Sequence, residues 1–223
     1  MAAGPLDQRG ARRLTETAYM AAATALLWVA LYYLPVGGPL FRMALPLPLA
    51  LLYHRHGRRA GLMGISVTCL LLTALMGPIR GLLVLCPYGC LGLWLGSCWR
   101  RGQPWALSWS VGVPLASLGL VVRVAVLSLL VGDNLWVIFT TAGAKLLDWL
   151  VGLASALLAP LLTIGFSPGL IQVQLAAIVV ILIQNTIYLL SLHAIAYWIF
   201  PRLGSPMPQP PRQLLPLIAL DPL

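Results

Sequence analysis

This 223-residue chain has few charged residues, and acidic residues and lysine are especially scarce. It contains five Asp and Glu residues and a single lysine, and charged residues make up only 9% of the sequence. A soluble domain carries roughly 25% charged residues. This shortage excludes a water-facing surface over most of the chain and argues against a separate soluble domain.

The sequence also lacks the motifs of common catalytic and nucleotide-binding sites. It has no glycine-rich phosphate loop, no His-Glu-x-x-His pair and no Gly-x-Ser-x-Gly nucleophile motif. Four cysteines (Cys69, Cys86, Cys90 and Cys98) lie in apolar sequence without the His or carboxylate neighbours of a metal site. We expect no enzyme activity, no metal and no cofactor.

Apolar residues dominate what is present. They make up 60% of the chain, the mean hydropathy is +0.92, and the apolar runs approach the roughly 20 residues of a bilayer-spanning helix. Arginines in short loops between these runs account for the net charge of +9, a pattern typical of helix orientation in membranes. The sequence therefore predicts an all-α, polytopic membrane helix bundle whose partner is a lipid bilayer and not nucleic acid.

Turn residues and arginines divide the apolar sequence into six predicted spanning helices. The runs are 17–34, 40–53, 60–76, 79–99, 105–131 and 170–200. A further segment, 135–166, holds Lys145 and Asp148 near its middle and Pro160 in its second half. We expect this segment to be a helical excursion into the bundle. If 146–166 also spans, there are seven helices.

The arginine distribution predicts the orientation of the chain. A basic N-terminal tail (1–14), the 54–59 tract and the 100–101 pair alternate as cytoplasmic segments around a single embedded domain (15–200). The turns at 35–39, 77–78 and 132–134 then lie on the far side. With six spans, the proline-rich tail (201–223) is cytoplasmic, and its composition is typical of an extended, mobile segment.

Three arginines stand in or beside apolar sequence toward the far side. Burying Arg42, Arg80 and Arg123 costs several kcal/mol or more, so such residues pair or serve a site. The available acids are Asp133 and Asp148, which leaves a surplus of positive charge for an anionic substrate. In the alternative, Arg42 and Arg80 reach outer head groups and Arg123 pairs with an acid.

The last predicted helix carries a polar face. Gln184, Tyr188 and Ser191 share one face, and Asn185 lies beside it. Such side chains commonly hydrogen-bond between membrane helices. The alternative hypothesis is that Gln184, Asn185 and Tyr188 line a substrate cavity.

Small residues recur at four-residue spacing on two predicted helices. Ala18, Ala22 and Ala25 lie on the first helix, and Gly92 and Gly96 on the fourth. This spacing lets helices approach closely, within the chain or with another subunit.

Two prolines, Pro46 and Pro48, predict a broken helix, a feature that often borders transporter binding sites.

Several stretches together carry a family resemblance: 17–25, 37–42 with the prolines that follow, 77–81, 87–89 and 193–204. On these residues the chain resembles the cyanobacterial branch of the YybS-like membrane proteins, a domain of unknown function, over roughly 15–205. That family is distantly similar to the substrate-binding S-components of energy-coupling-factor (ECF) vitamin transporters.

The resemblance implies a function as well as a fold. S-components have six helices and an outward-facing pocket, and their first helix docks onto a membrane coupling subunit; Ala18, Ala22 and Ala25 lie where that docking motif falls. One hypothesis is thus a substrate-capturing transporter component. The other is a non-transporting scaffold or assembly factor for photosynthetic membrane complexes. Under both hypotheses the chain lies in a bacterial plasma membrane or in a thylakoid membrane.

Overall fold

The computed structural model describes residues 8–35, 37–158 and 169–211. In these residues the secondary structure is helical, without strands. The helices are α1 (Gln8–Tyr33), α2 (Gly38–Ala44), α3 (Leu47–His56), α4 (Arg58–Met76), α5 (Pro78–Leu82), α6 (Cys90–Arg100), α7 (Trp105–Val131), α8 (Leu135–Leu158) and α9 (Leu170–Arg202), with a π-helical turn at Leu85–Gly89.

Five helical stretches among the described residues are long and apolar enough to cross a membrane. They are Gly10–Tyr33, Arg58–Met76, Pro78–Arg100, Trp105–Val131 and Ile171–Arg202. Large apolar side chains point outward from them, including Leu129 at 85% exposed and Ile171 at 72%. Such a surface suits lipid and not water. The predicted all-α membrane bundle is confirmed.

The second predicted span, 40–53, is divided between two short helices. Pro46 and Pro48 lack the N–H groups that would continue the hydrogen-bond ladder, so α2 ends at Ala44 and α3 starts at Leu47. The backbone of Leu45 and Pro46 nevertheless keeps right-handed helical angles. Together with Leu45 and Pro46, the seven residues of α2 and the ten of α3 therefore form one kinked pass of about 28 Å at 1.5 Å per residue.

The fourth predicted span is also interrupted. It consists of α5, the π-helical turn and α6, with an extended backbone at Cys86 where Pro87 follows (φ −116°, ψ 125°). At its start, Gly77 takes φ +90° to reverse the chain after α4. An added Cβ at Gly81 would lie 2.6 Å from the backbone nitrogen of Thr73. The two arms of this turn can meet only because Gly81 has no side chain.

The described residues fall into two compact units. Unit 1 comprises the described residues within Met1–Gly119 and Asn185–Leu223, and unit 2 those within Leu120–Gln184. The core of unit 1 is formed where α3, α6, α7 and α9 meet, with large buried side chains at Leu91, Leu95, Trp99, Leu189, Leu192 and Phe200.

Contacts at the two ends of unit 1 define the direction of its helices. At the end that carries most of the arginines, Arg55 of α3 contacts Glu16 near the start of α1, and Arg100 at the end of α6 approaches the carbonyl of Tyr53 at 3.5 Å. At the opposite end, the guanidinium of Arg80 lies 5.5 Å from the ring centre of Tyr32 at the end of α1. We call the arginine-rich end the basic end.

Helices α7 and α9 pair in opposite directions within unit 1. Ser108 contacts His193 at 2.7 Å, and nine residues later Ser117 contacts Asn185 at 2.9 Å. The chain leaves unit 1 after Gly119 and re-enters it at Asn185. The described part of unit 1 thus contains six helical passes in alternating directions. Five helical stretches of the described residues are long and apolar enough to span a membrane, against the six spans that the sequence predicts.

The described part of the C-terminal tail contacts unit 1, whereas the sequence predicts a mobile extension. Ser205 is only 3% exposed and Met207 packs against the core of unit 1. The indole N–H of Trp105 donates a 3.2 Å hydrogen bond to the carbonyl of Pro208. After a turn at 203–204, residues 205–211 have no regular secondary structure, and Ser205, Met207 and Pro208 attach them to unit 1. The remainder of the predicted tail, from 212, lies outside the described residues.

Candidate functional site

The three arginines predicted to bind an anion are divided between the two units. Arg42 and Arg80 belong to unit 1 and are exposed, whereas Arg123 belongs to unit 2 and is half-buried. The two candidate acids, Asp133 and Asp148, are exposed in unit 2. None of the arginines lines the three cavities described below. An anion site at these arginines stays a prediction.

The polar face of α9 joins helices within unit 1. The amide of Asn185 donates to the hydroxyl of Ser117 on α7 at 2.9 Å, and the Tyr188 hydroxyl donates to the carbonyl of Arg42 on α2 at 3.0 Å. Gln184 belongs to unit 2 and is exposed. This geometry favours helix-to-helix hydrogen bonding, one of the two roles that the sequence allows.

The glycine pair of α6 faces α3. An added Cβ would lie 2.9 Å from the Pro46 carbonyl at Gly92 and 2.6 Å from the Ala50 carbonyl at Gly96. The close helix approach expected at these glycines therefore occurs within this chain.

The small residues of α1 point in several directions. Ala25 is buried in unit 1 at 4% exposed, Ala22 is half-buried and Ala18 is exposed. Of the three alanines predicted to contact a partner helix, Ala18 is therefore exposed and Ala22 only partly so. Contact with a second protein stays a prediction for these two, and Ala25 serves packing inside unit 1.

A buried histidine network was not foreseen from the sequence. His193 is completely buried, and its ring contacts the Ser108 hydroxyl at 2.7 Å and the Trp109 indole N–H at 3.3 Å. The rings of Trp105 and Trp99 lie 4.9 and 5.4 Å from it. Because both ring nitrogens have partners, this histidine fixes α9 against α7 and offers no open site.

Two clefts lie at the basic end. The first has a volume of about 430 Å³ and is lined by five arginines: Arg13, Arg58, Arg59, Arg100 and Arg101. The second, of about 650 Å³, contains a cluster in which Glu16 accepts from Arg12 at 3.0 Å and contacts His56 at 2.8 Å. The sequence placed these arginine tracts on one side of the membrane, but not in a shared cleft.

His54, one residue beyond the predicted span 40–53, lines the second cleft at the basic end. Burial lowers the pKa of its imidazole, and the positive charges of Arg100 and Arg55 lower it further. The pKa is therefore below the ordinary value near 6.5, so this ring takes up its proton at a lower pH than a solvent-exposed histidine does.

A groove of about 800 Å³ lies in unit 2. Its wall is mostly apolar and is formed by α7, the 132–134 turn, the start of α8 and one residue of α9; the residues are Leu120, Val121, Val124, Ala125, Ser128, Leu129, Gly132, Asp133, Asn134, Trp136 and Ile178. Polar groups are concentrated at the turn. Apolar walls with a few polar groups are typical of small-molecule sites of this size.

Metal-binding groups do not cluster in the part of the chain that the structure describes, where no three His, Cys, Asp or Glu side chains are placed to hold an ion. The Sγ atoms of Cys86 and Cys90 lie 3.9 Å apart as free thiols.

The helices, their apolar surface and the interhelical hydrogen bonds define a helical integral membrane protein. The chain belongs to the family described as "Predicted membrane protein (DUF2232)", whose model matches residues 22–212. It is also similar to the uncharacterized protein YybS of Bacillus subtilis (strain 168), with 31% identity over 93 residues. That match covers 42% of this chain and only 30% of YybS. No solved structure matches the chain.

Proposed function

We propose that this membrane protein captures a small, mainly apolar molecule in the groove of unit 2, as the substrate-binding component of a transporter. The groove itself is the observation that carries the proposal. Its volume of about 800 Å³ falls within the usual 300–1,000 Å³ of ligand pockets. In this proposal the chain binds its substrate without converting it.

The polar end of the groove indicates what the ligand carries. The Ser128 hydroxyl accepts from the backbone N–H of Leu135 at 3.1 Å, and the Asn134 side-chain oxygen accepts from that of Val137 at 3.3 Å. The Ser128 O–H and the Asn134 amide N–H groups remain available as donors, and the Asp133 carboxylate as an acceptor. These groups suit an apolar molecule with hydrogen-bonding groups, including a donor, at one end.

This ligand differs from the anion that the sequence predicts beside Arg42, Arg80 and Arg123. The 132–134 turn at the polar end of the groove is on the far side in the orientation predicted from arginine asymmetry. The distant resemblance to S-components supports an outward-facing capture site. Ala18 and Ala22 are the residues we propose for contact with a coupling subunit.

Native mass spectrometry of the detergent-purified protein tests this proposal. We expect wild type to retain a small molecule that is lost in Ala125→Trp, because the indole would fill the groove. Val122→Trp is the matched control, since Val122 is exposed on the same helix and does not line the groove. Equal retention of the small molecule by both variants would contradict binding in the groove. Wild type carrying a protein partner and no small molecule would favour the scaffold function instead.

A further inference from the structure

The cleft lined by five arginines is built where three helices of unit 1 end or begin. Helix α3 ends at His56, α4 starts at Arg58, and α6 ends at Arg100. Two of these helices are joined by Gly57 alone, whose φ of +79° suits a residue without a side chain. The tight turn brings Arg58 and Arg59 to the same cleft as Arg100 and Arg101.

Gly57 also provides space for one of the arginines. A Cβ atom at this position would overlap Nη1 of Arg100, so the guanidinium of Arg100 lies directly over the glycine. The same nitrogen approaches the Tyr53 carbonyl at 3.5 Å. The glycine thus allows a guanidinium to lie over the turn, inside the cleft.

The positive charge of this cleft has no carboxylate to balance it among the described residues of unit 1. Glu16 is the only carboxylate there, and its oxygens contact Arg12, Arg55 and His56. Arg58, Arg59, Arg100 and Arg101 are exposed and Arg13 is half-buried. Five guanidinium groups around one cleft repel one another unless an anion enters.

We propose that this cleft binds the phosphate of an acidic phospholipid head group. Guanidinium groups bind phosphate through paired, charge-assisted hydrogen bonds, and arginine clusters at the membrane surface attract anionic lipids. Lipid is the occupant because three of the lining arginines lie near the ends of stretches that are apolar enough to cross a membrane: Arg13 in Gly10–Tyr33, Arg58 in Arg58–Met76 and Arg100 in Pro78–Arg100. The cleft therefore lies at the level where phospholipid phosphates are found.

The test is native mass spectrometry of the full chain in detergent, titrated with phosphatidylglycerol or with zwitterionic phosphatidylcholine. We expect preferential binding of phosphatidylglycerol, and a loss of roughly fivefold in affinity for each of Arg58→Gln and Arg101→Gln. Arg202→Gln is the matched control: it removes one exposed positive charge on α9 without touching the cleft, and should leave binding unchanged.

Two outcomes would overturn the proposal. One is equal affinity for the two lipids, or equal losses in Arg58→Gln, Arg101→Gln and Arg202→Gln, since binding would then be independent of the cleft. The other concerns the source of the phosphate. If inorganic pyrophosphate at millimolar concentration bound in the absence of lipid and displaced phosphatidylglycerol, the occupant would be a soluble phosphate. The groove of unit 2 is tested separately by its own variants.

Discussion

The hydroxyl of Tyr188 on α9 donates a 3.0 Å hydrogen bond to the backbone carbonyl of Arg42 on α2. In a regular helix that carbonyl would accept from the N–H of residue 46, and residue 46 is a proline without an N–H. The Arg42 carbonyl, which the proline leaves without its helical donor, thereby accepts a hydrogen bond from a side chain of another helix. The polar residue and the helix break, separate in the sequence, form one structural feature.

Replacing Tyr188 by phenylalanine should destabilise the fold by about 1 kcal/mol, the net worth of one hydrogen bond. In a Pro46→Ala background the new N–H serves the Arg42 carbonyl, so the same replacement should cost much less. Thermal unfolding in detergent measures the cycle, with Tyr19→Phe as control because Tyr19 is 70% exposed. Equal costs in both backgrounds would show that the hydroxyl and the proline are not coupled.

The contact between α6 and α3 should not accept a methyl group at Gly96. The added Cβ would lie 2.6 Å from the Ala50 carbonyl oxygen and 2.7 Å from the Tyr53 Cβ, so Gly96→Ala should cost about 1–3 kcal/mol through overpacking. Gly143 in α8 has nothing within 4 Å of the same position. Gly143→Ala should therefore stabilise by roughly 0.5–1 kcal/mol through helix propensity. A Gly96→Ala protein as stable as wild type would contradict the close approach.

Acidification should weaken the basic end through His54. Because burial and the charges of Arg100 and Arg55 depress its pKa, the folded protein protonates the ring at a lower pH than the unfolded chain, whose histidines titrate near pH 6.5. The stabilising contribution is present above pH 6.5 and is lost as the pH falls through the depressed pKa. We expect Tm to fall less between pH 7.5 and 5 in His54→Gln than in wild type. An identical fall would contradict the role of His54.

The attachment of the C-terminal tail to unit 1 should depend on Arg55. Its guanidinium donates to the Ser205 hydroxyl at 2.9 Å and to the carbonyl of Leu203. In Arg55→Gln we expect faster trypsin cleavage after Arg202, because the following residues lose their attachment. Arg59→Gln is the control, since it removes one arginine of the neighbouring cleft and not of the tail contact. Equal cleavage rates in the two variants would mean that Arg55 does not hold the tail.

Much of the fold could be predicted because membrane helices are encoded locally. The bounds of α7, 105–131, match the prediction because Pro104 and Gly132 enclose an uninterrupted apolar run. Helix α1 begins at Gln8 instead of Thr17, since a polar first turn beyond the apolar run can still be helical. The kink of the second span followed from its two prolines.

The sites could be predicted only in part because they depend on contacts between distant residues. Ser108 and His193 are 85 positions apart, and no periodicity links them. Arg58 and Arg101 were each assigned to a side of the membrane, yet their shared cleft depends on how α4 and α6 pack. The predicted arginines Arg42, Arg80 and Arg123 lie outside the three cavities. An arginine in apolar sequence shows that its burial would cost free energy, but it does not show which residues surround it in the fold.

Both binding proposals use the six-span orientation predicted from the arginine distribution, in which the 54–59 tract and the 201–223 tail are cytoplasmic and the 132–134 turn lies on the far side. Cysteine labelling tests it directly: in a variant whose four native cysteines are replaced by alanine, Arg59→Cys, Gln209→Cys and Asp133→Cys are each exposed to a membrane-impermeant maleimide in sealed right-side-out vesicles. We predict labelling at position 133 and protection at both 59 and 209. Labelling of only one of positions 59 and 209 would contradict the account.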